Sequence, residues 1–236
     1  MPKDKINIVV STGAGISKES GISTFRGEDG TWNGMDVEKV ATFEGFMEDP
    51  ERAYDFYENA FGKLIRGEIK PNKAHIALAE LEKDPRFNVT IITQNIDDLH
   101  EQSGSKSIIH MHGDMKNSQC VASSKLYPIE KIREKCSCCK TPQVLRPNIV
   151  FFKEMPHKMD EIYDIVEEAD IMLVIGTSGN IYPAAGLPGH LKTYKRNSEV
   201  IEFNIEKTGL FGVDKTIIGK ASETVPSYVK DMLSKK

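Results

Sequence analysis

The 236-residue chain predicts an α/β fold: a doubly wound parallel sheet carrying a smaller lobe made of a helical insertion and a Cys-rich insertion. Three observations lead there. Short apolar runs alternate with amphipathic helical patterns. Polar or glycine-rich stretches follow the carboxyl ends of those runs, where open parallel sheets bind ligands. All four cysteines (Cys120, Cys136, Cys138, Cys139) fall within one short window.

In chain order, the expected strands are INIVVS (6–11), NVTIIT (88–93), SIIHMH (107–112), NIVFF (148–152), IMLVIG (171–176), EVIEFN (199–204) and KTIIG (215–219). NVTII is β-branched and apolar, as a buried parallel strand should be. The expected helices are 50–65, 72–83, 159–169, 184–196 and a last one from Glu223 to the end. Two stretches break the alternation. Residues 27–72 read as helical with no strand, and 115–146 carries the cysteines. Each is expected to be an insertion that builds the smaller lobe.

Composition limits the function classes. A net charge of −4 offers no electrostatic case for nucleic acid as main partner. The start, MPKDKINIVVST, is apolar for only five residues, too short for a signal peptide or a membrane span, and no later run is long enough. A soluble, cytoplasmic protein is expected. Gathered cysteines argue a metal site, since a disulfide framework would spread them over the fold.

The strand ends carry the chemistry. Strand 6–11 runs into STGAGISKESGISTFRG, and strand 88–93 into QNIDDLH. Strand 107–112 runs into HGD, 171–176 into GTSGN, and 199–204 into NIE. Gly13 and Gly15 suit a backbone approached by a pyrophosphate at a helix N-terminus. A hydride-transfer fingerprint wants a third glycine where Lys18 stands, and an ordinary tight turn explains the pair equally well. Ser23, Phe25 and Arg26 add an aromatic plate and an anion clamp, although a buried Phe and a surface Arg would look the same. His110 and His112 point to one side if their strand is regular. His112, followed by Gly113 and Asp114, is a candidate general base. His75, His100 and His110 read as structural, His157 and His190 as surface residues.

GAGIS, GISTFRG, TQNIDDLH, HMHGD, LRPNIVFF, GTS and FNIE occur in the order found in sirtuins, the NAD-dependent protein deacylases. The resemblance spans roughly residues 6 to 232. MPHKMDEIYD and GTSGNIYPAAG resemble the compact bacterial members. It implies a Rossmann-like NAD-binding domain over 1–30, 73–114 and 146–236, a helical cofactor and acyl-pocket insertion over 31–72, and a zinc-ribbon-like lobe over 115–145.

The resemblance also implies a reaction. NAD is consumed as a co-substrate, and the bond between nicotinamide and ribose breaks. The lysine's acyl oxygen attacks the ribose carbon to give an alkylamidate, and a histidine matched by His112 acts as base on the ribose hydroxyls. Free lysine, nicotinamide and O-acyl-ADP-ribose result. Asn95 and Asp97 match residues that position nicotinamide and its ribose, and Gln94 matches a ribose contact. Arg26 and Phe25 match the pair that orders the loop and shields the reactive carbon. Gly13, Ala14, Gly15, Ile16, Thr24, Gly176, Thr177, Ser178, Asn204, Glu206 and Ala221 match cofactor contacts. An acyl-lysine peptide is expected as an extended strand between VFFKE and GNIYPA, touching Tyr57, Phe151, Phe152, Lys153, Asn180 and Ile181. Most sirtuins carry Gly where this chain has Lys153. That lysine would favour acidic flanking residues, narrow the cleft, or point into solvent. A monomer acting on proteins or peptides, without nucleic acid or membrane, is expected.

Two departures stand out. Sirtuins usually show two C-x2-C pairs around a structural zinc ion. Here the first pair is broken by Ser123, and either the extra thiol Cys138 serves as fourth ligand beside Cys120, Cys136 and Cys139, or water or another oxygen ligand completes a three-Cys site, or the lobe holds no zinc. Relatives that remove succinyl-type groups carry Y-x-x-R on the acyl-pocket helix. This chain keeps Tyr57 but has Ala60 in the arginine's place. A neutral acyl group, acetyl first, is therefore expected. Mono-ADP-ribosyl transfer, a NAD-linked dehydrogenase and a non-enzymatic NAD sensor are the rival readings.

Overall fold

The structure is a computed structural model that describes residues 5–24 and 36–235. Its order begins β1 (Ile6–Thr12), a 3-10 helix (Ala14–Ser20), α1 (Val37–Ala41), α2 (Phe43–Glu48), α3 (Pro50–Ile65), α4 (Lys73–Lys83) and β2 (Phe87–Thr93). It continues with α5 (Leu99–Ser103), β3 (Ile108–His110), β4 (Gly113–Cys120), β5 (Leu126–Pro128) and β6 (Leu145–Ile149). Last come α6 (Met159–Glu167), β7 (Ile171–Ile175), α7 (Leu187–Tyr194), β8 (Glu199–Asn204), β9 (Lys215–Ile218) and α8 (Ala221–Ser234).

Six strands form one parallel sheet in the order β3-β2-β1-β7-β8-β9. The chain winds outward from β1 through β2 and β3, then returns to place β7 on the other side of β1. Strand order therefore reverses between β1 and β7, the position where doubly wound sheets open a ligand crevice.

Both faces of the sheet are covered, which the period-2 alternation of its strands explains. Ile8 and Val10 of β1, with Leu173 and Ile175 of β7, pack against Leu78 and Leu81 of α4 and Val225 and Val229 of α8. Val9, Met172, Val174 and Val200 face the other way, onto Ile162 and Val166 of α6 and Leu187 and Leu191 of α7. Each such side chain is almost wholly removed from water and contributes about 1.5–3 kcal/mol of hydrophobic stabilisation.

The smaller sheet is antiparallel, ordered β5-β4-β6. It shares an apolar cluster with α1–α3: Val40, Phe46, Tyr54, Tyr57 and Phe61 meet Met115, Ile129, Ile149 and Phe151. The Tyr54 hydroxyl donates to the Leu145 carbonyl at 2.6 Å. Arg133 pairs with Glu51, Asp55 and Glu58 on one face of α3. The two insertions thus pack against each other.

Several sequence expectations shift. NIVFF (148–152) does not join the parallel sheet; β6 ends at Ile149 and pairs with β4. SIIHMH shortens to Ile108–His110, and Met111 and His112 lie in a turn. The expected same-side geometry of His110 and His112 therefore does not apply. β4 and β5 were hidden in a polar stretch with no alternating pattern. The helix expected over 184–196 is a 3-10 turn, Ala184–Gly186, followed by α7. Among the described residues, no helix is long and apolar enough to cross a membrane.

α4 starts with a reciprocal cap. Asn72 Oδ1 accepts from Ala74 N at 2.9 Å, and His75 Nδ1 accepts from Asn72 N at 3.3 Å. His75 is fully buried, and burial pulls its pKa down to about 4. His100, its ring centroid 5.0 Å away, is held neutral chiefly by burial as well. In the unfolded chain these groups titrate near 6.5, so the unfolded state binds more protons between the two pKa values. The stability His75 contributes is complete above pH 6.5 and is lost as pH falls toward 4, about 3 kcal/mol in all. Urea midpoints measured from pH 7 to 4.5 should fall accordingly. His75→Gln, which keeps the reverse cap without titrating, should flatten that slope. An unchanged slope would remove His75 as its source.

Candidate functional site

The site is built where the ends of β1, β2, β7 and β8 meet. The loop after β1 is fastened to the loop after β7: Gly13 N donates to Ile175 O at 3.0 Å, and Gly15 N to Gly176 O at 2.8 Å. A Cβ on Gly15 would lie 2.6 Å from Gly176 Cα, and Gly176 itself has φ +62°. Only glycines allow this approach. The glycine pair therefore has a reason inside the protein, before any phosphate is considered.

Above this junction lies a cleft of about 860 Å³. Gly13, Ala14, Gly15 and Thr24 line it from the β1 side, and Gln94 and Asn95 from the end of β2. Gly176, Thr177, Ser178, Asn180 and Ile181 follow β7, while Asn204 and Glu206 follow β8. Ala221 closes that end. His112, Tyr57, Phe151, Phe152 and Lys153 line the part facing the smaller sheet. Ile16 does not reach the cleft; it lies in the core under the sheet. Phe25 and Arg26 lie outside the described residues.

Asn95 is buried and held on three sides. Its N–H donates to Thr93 Oγ1 at 3.0 Å, and its Nδ2 donates to Gly13 O at 3.2 Å and Ser17 Oγ at 3.1 Å. Its Oδ1 is buried without a partner among the described residues. A buried acceptor left unpaired costs about 1–3 kcal/mol, so a donor arriving there gains that amount. Asp97 stands behind Asn95 and does not line the cleft. Its Oδ2 accepts from Ser17 Oγ at 2.8 Å and its Oδ1 from Leu99 N at 3.1 Å. Burial pushes its carboxyl pKa up, against the pull of those hydrogen bonds.

His112 sits in the turn between β3 and β4. Gly113 next to it has φ +80°, and a Cβ there would strike the Asn148 carbonyl of β6. The His112 carbonyl accepts from Val150 N at 2.9 Å, which anchors the residue from both sides. Its Nδ1–H donates to the Gln94 carbonyl at 3.1 Å, so Nε2 carries the lone pair. Burial lowers its pKa, the Gln94 bond opposes that, and His157 adds to the lowering. The ring is thus neutral at pH 7, in the tautomer a proton acceptor needs. His110 is different: it bonds Asn95 O and Glu101, and does not line the cleft.

The segment after β6 forms one wall. Glu154 N donates to Phe151 O at 3.1 Å, closing a turn over Phe151–Glu154. Lys153 occupies its third position with φ +74°, a conformation that costs a non-glycine residue about 1 kcal/mol. Buried Arg146 locks the turn by gripping Glu154 at 2.5 and 2.7 Å, and it also donates to Ile149 O at 2.7 Å. Glu154 Oε2 further accepts from Phe151 N at 2.8 Å. Tyr57 lines the cleft, and its buried hydroxyl has no partner among the described residues. Ala60, one turn further along α3, is exposed and does not line the cleft.

Sequence reasoning missed Ser17, which couples Asn95 to Asp97, and the Arg146–Glu154 pair. Arg146 stands alone among apolar strand residues, and Glu154 follows eight positions later; that isolation was the available signal.

The four cysteines converge: all their sulfurs lie within 4.8 Å of one another. Cys120–Cys139 and Cys138–Cys139 are 3.7 and 3.8 Å apart. A zinc ion with bonds of about 2.3 Å to four thiolates sets a tetrahedral edge of about 3.8 Å, so the set fits a structural zinc. Cys138 takes the place of the second cysteine of the first pair, and Ser123 Oγ lies 3.0 Å from its sulfur.

Known proteins resemble this arrangement closely. The family model described as Sir2 family matches residues 13–183. An NAD-dependent protein deacylase of Pasteurella multocida (strain Pm70) is 46% identical over 233 residues, 97% of this chain and 99% of its own. One of Vibrio vulnificus (strain YJ016) is 47% identical over 235 residues, 97% and 94% of the two chains. Among solved structures, a Sir2 homologue in an ADP-ribose complex superposes with TM-score 0.88 at 38% identity, covering 99% of this chain and 95% of that one. A Sir2 homologue–NAD complex gives 0.85 at 39% identity, with coverage of 98% and 92%. A Sir2 complex with a deacetylated p53 peptide and 3′-O-acetyl ADP-ribose gives 0.84 at 30% identity, with coverage of 97% and 94%. On sequence, fold and the residues gathered at its strand ends, the chain belongs to the Sir2 family.

Proposed function

We propose that this protein is an NAD-dependent protein-lysine deacylase that acts first on acetyl-lysine. The observation that carries this reading is the pairing, in one cleft at the sheet's switch point, of neutral His112 with the unpartnered Asn95 Oδ1. The relatives named NAD-dependent protein deacylases support it.

The lining fits a dinucleotide. A cleft of about 860 Å³ matches the size of cofactor pockets. Gly13, Ala14 and Gly15 offer backbone to a pyrophosphate, and Asn204 and Glu206 offer polar groups to the far ribose. A carboxamide N–H would satisfy Asn95 Oδ1. When bound, NAD supplies a ribose carbon whose bond to nicotinamide is broken and made anew to the acyl oxygen. The protein's part is to bind, orient and move a proton. Asn95, clamped by Gly13 and Ser17, holds the nicotinamide end, and Asp97 keeps Ser17 oriented. On this reading His112 Nε2 would take a proton from a ribose hydroxyl as that oxygen attacks the acyl carbon; the lysine amine would then leave, and one water molecule would be consumed to complete O-acyl-ADP-ribose. Phe151 and Tyr57 wall off water on the acyl side. Arg26 and Phe25 complete this reading from the sequence alone.

Acyl choice follows from charge. Among the described residues no arginine lines the cleft beside Tyr57. A succinyl carboxylate buried beside Tyr57 lacks an arginine partner, a loss of about 3–5 kcal/mol. The first experiment incubates the protein with acetyl- and succinyl-lysine peptides, with and without NAD, and reads products by mass spectrometry. Expected are NAD-dependent loss of acetyl with O-acetyl-ADP-ribose and slow loss of succinyl. Equal rates would refute the acyl assignment. NAD-derived label left on protein, without deacylation, would refute the activity itself.

His112→Ala should lower kcat by about 10²–10⁴-fold while the protein keeps its fold. In the wild type, the acid limb of the pH–rate profile should lie below pH 6.5, because burial depresses the histidine's pKa. A limb above 6.5 would assign the base elsewhere.

Zinc analysis should find about one ion per chain, lost on Cys138→Ser, with a lower melting temperature. Full occupancy in that variant would show that Ser123 or water serves as the fourth ligand.

A further inference from the structure

The Phe151–Glu154 turn holds a charge that no ion pair among the described residues uses. Lys153 lines the cleft, is exposed, and has no ion pair among the described residues. The other ionised group of the turn, Glu154, is neutralised by Arg146. Lys153 stands at the position of the turn where a positive φ favours glycine, and buried Arg146, bonded to the partly exposed Glu154, holds the backbone there against that preference. Strain retained at a cleft wall points to use of the side chain.

We propose that Lys153 is a specificity residue, and that the preferred substrates are acyl-lysine peptides with an acidic side chain next to the modified lysine. The proposal rests on the deacylase reading above. The cleft runs between this turn and Asn180–Tyr182, and Tyr182, 77% exposed, forms the facing rim. A peptide laid between the two walls brings the neighbours of its acyl-lysine beside the turn that carries the ammonium. Glu206 and Lys207 also line the cleft, but they follow β8 and oppose each other in charge. Lys153 alone gives the turn its net sign. The pair formed with substrate is partly solvated, so its effect is modest and screened by salt.

The test uses three acetyl-lysine peptides that differ only in the flanking residues: Glu, Ala or Lys. For the wild type, kcat/KM should be about five-fold higher with Glu than with Lys at low salt, and the ratio should shrink at high salt. Lys153→Gly should bring the ratio to about one, and Lys153→Glu should invert it. Lys153→Gly relieves the strained φ, so its melting temperature should be no lower than that of the wild type. A wild-type ratio of one, or a ratio that survives Lys153→Gly, overturns the proposal. If none of the peptides is deacylated by the wild type, the underlying activity has failed instead, and the two failures are distinct.

Discussion

The architecture depends on one close approach of backbone. The loop after β1 and the loop after β7 touch through Gly13, Gly15 and Gly176, with amide-to-carbonyl bonds of 2.8 and 3.0 Å between them. Side chains at these positions would push the loops apart and split the strand ends. Held together, the ends make one rim on which β2 sets Asn95 and Gln94, and β8 sets Asn204. Gln94 reaches Thr177 Oγ1 at 3.4 Å, and Asn204 donates to Thr177 O at 2.7 Å. Thr177 thus joins three strand ends. The cleft is a consequence of strand order made rigid by glycine, and its polar lining is what remains once those bonds are made.

Much of this was legible in the sequence because period-2 apolar runs specify buried strands directly. β1, β2, β7 and β8 emerge within a residue or two of their expected bounds, and α3 spans the expected residues. The small sheet was not legible. GDMKNSQC alternates in burial along the strand, but its residues are mostly polar on both faces and carry no apolar–polar alternation to read. The assignment of NIVFF to the parallel sheet followed from its composition, since an apolar run does not state which sheet will cover it. His112 was expected at the end of a strand and lies in a turn, because Gly113 ends the strand run through a φ that sequence reading passes over. Asp97 and Ile16 read as cleft residues in their motifs. In space one lies behind Asn95 and the other under the sheet, since neighbours in a motif alternate between cleft and core.

The electrostatics of the site follow from burial. His112, His100 and His75 are all kept neutral chiefly by desolvation, whereas Glu101 opposes burial at His110 and raises its pKa. At Asp97 burial raises the pKa, and Ser17, Leu99 N and His110 oppose it. Around Asn95 hydrogen bonds decide orientation, since its backbone N–H and its side chain are held by Thr93, Gly13 and Ser17.

Leu145 belongs to the small cluster formed with Cys120 and Cys136, and its carbonyl takes the Tyr54 hydroxyl. Tyr54 lies one helical turn from Tyr57 on α3, against Phe46, whose ring also meets Phe151. The Cys-rich lobe, α3 and the Phe151 wall of the cleft therefore pack as one continuous run of contacts. A zinc ion held by the four cysteines would touch no part of the cleft, yet this run of contacts would connect its loss to the packing of Phe151.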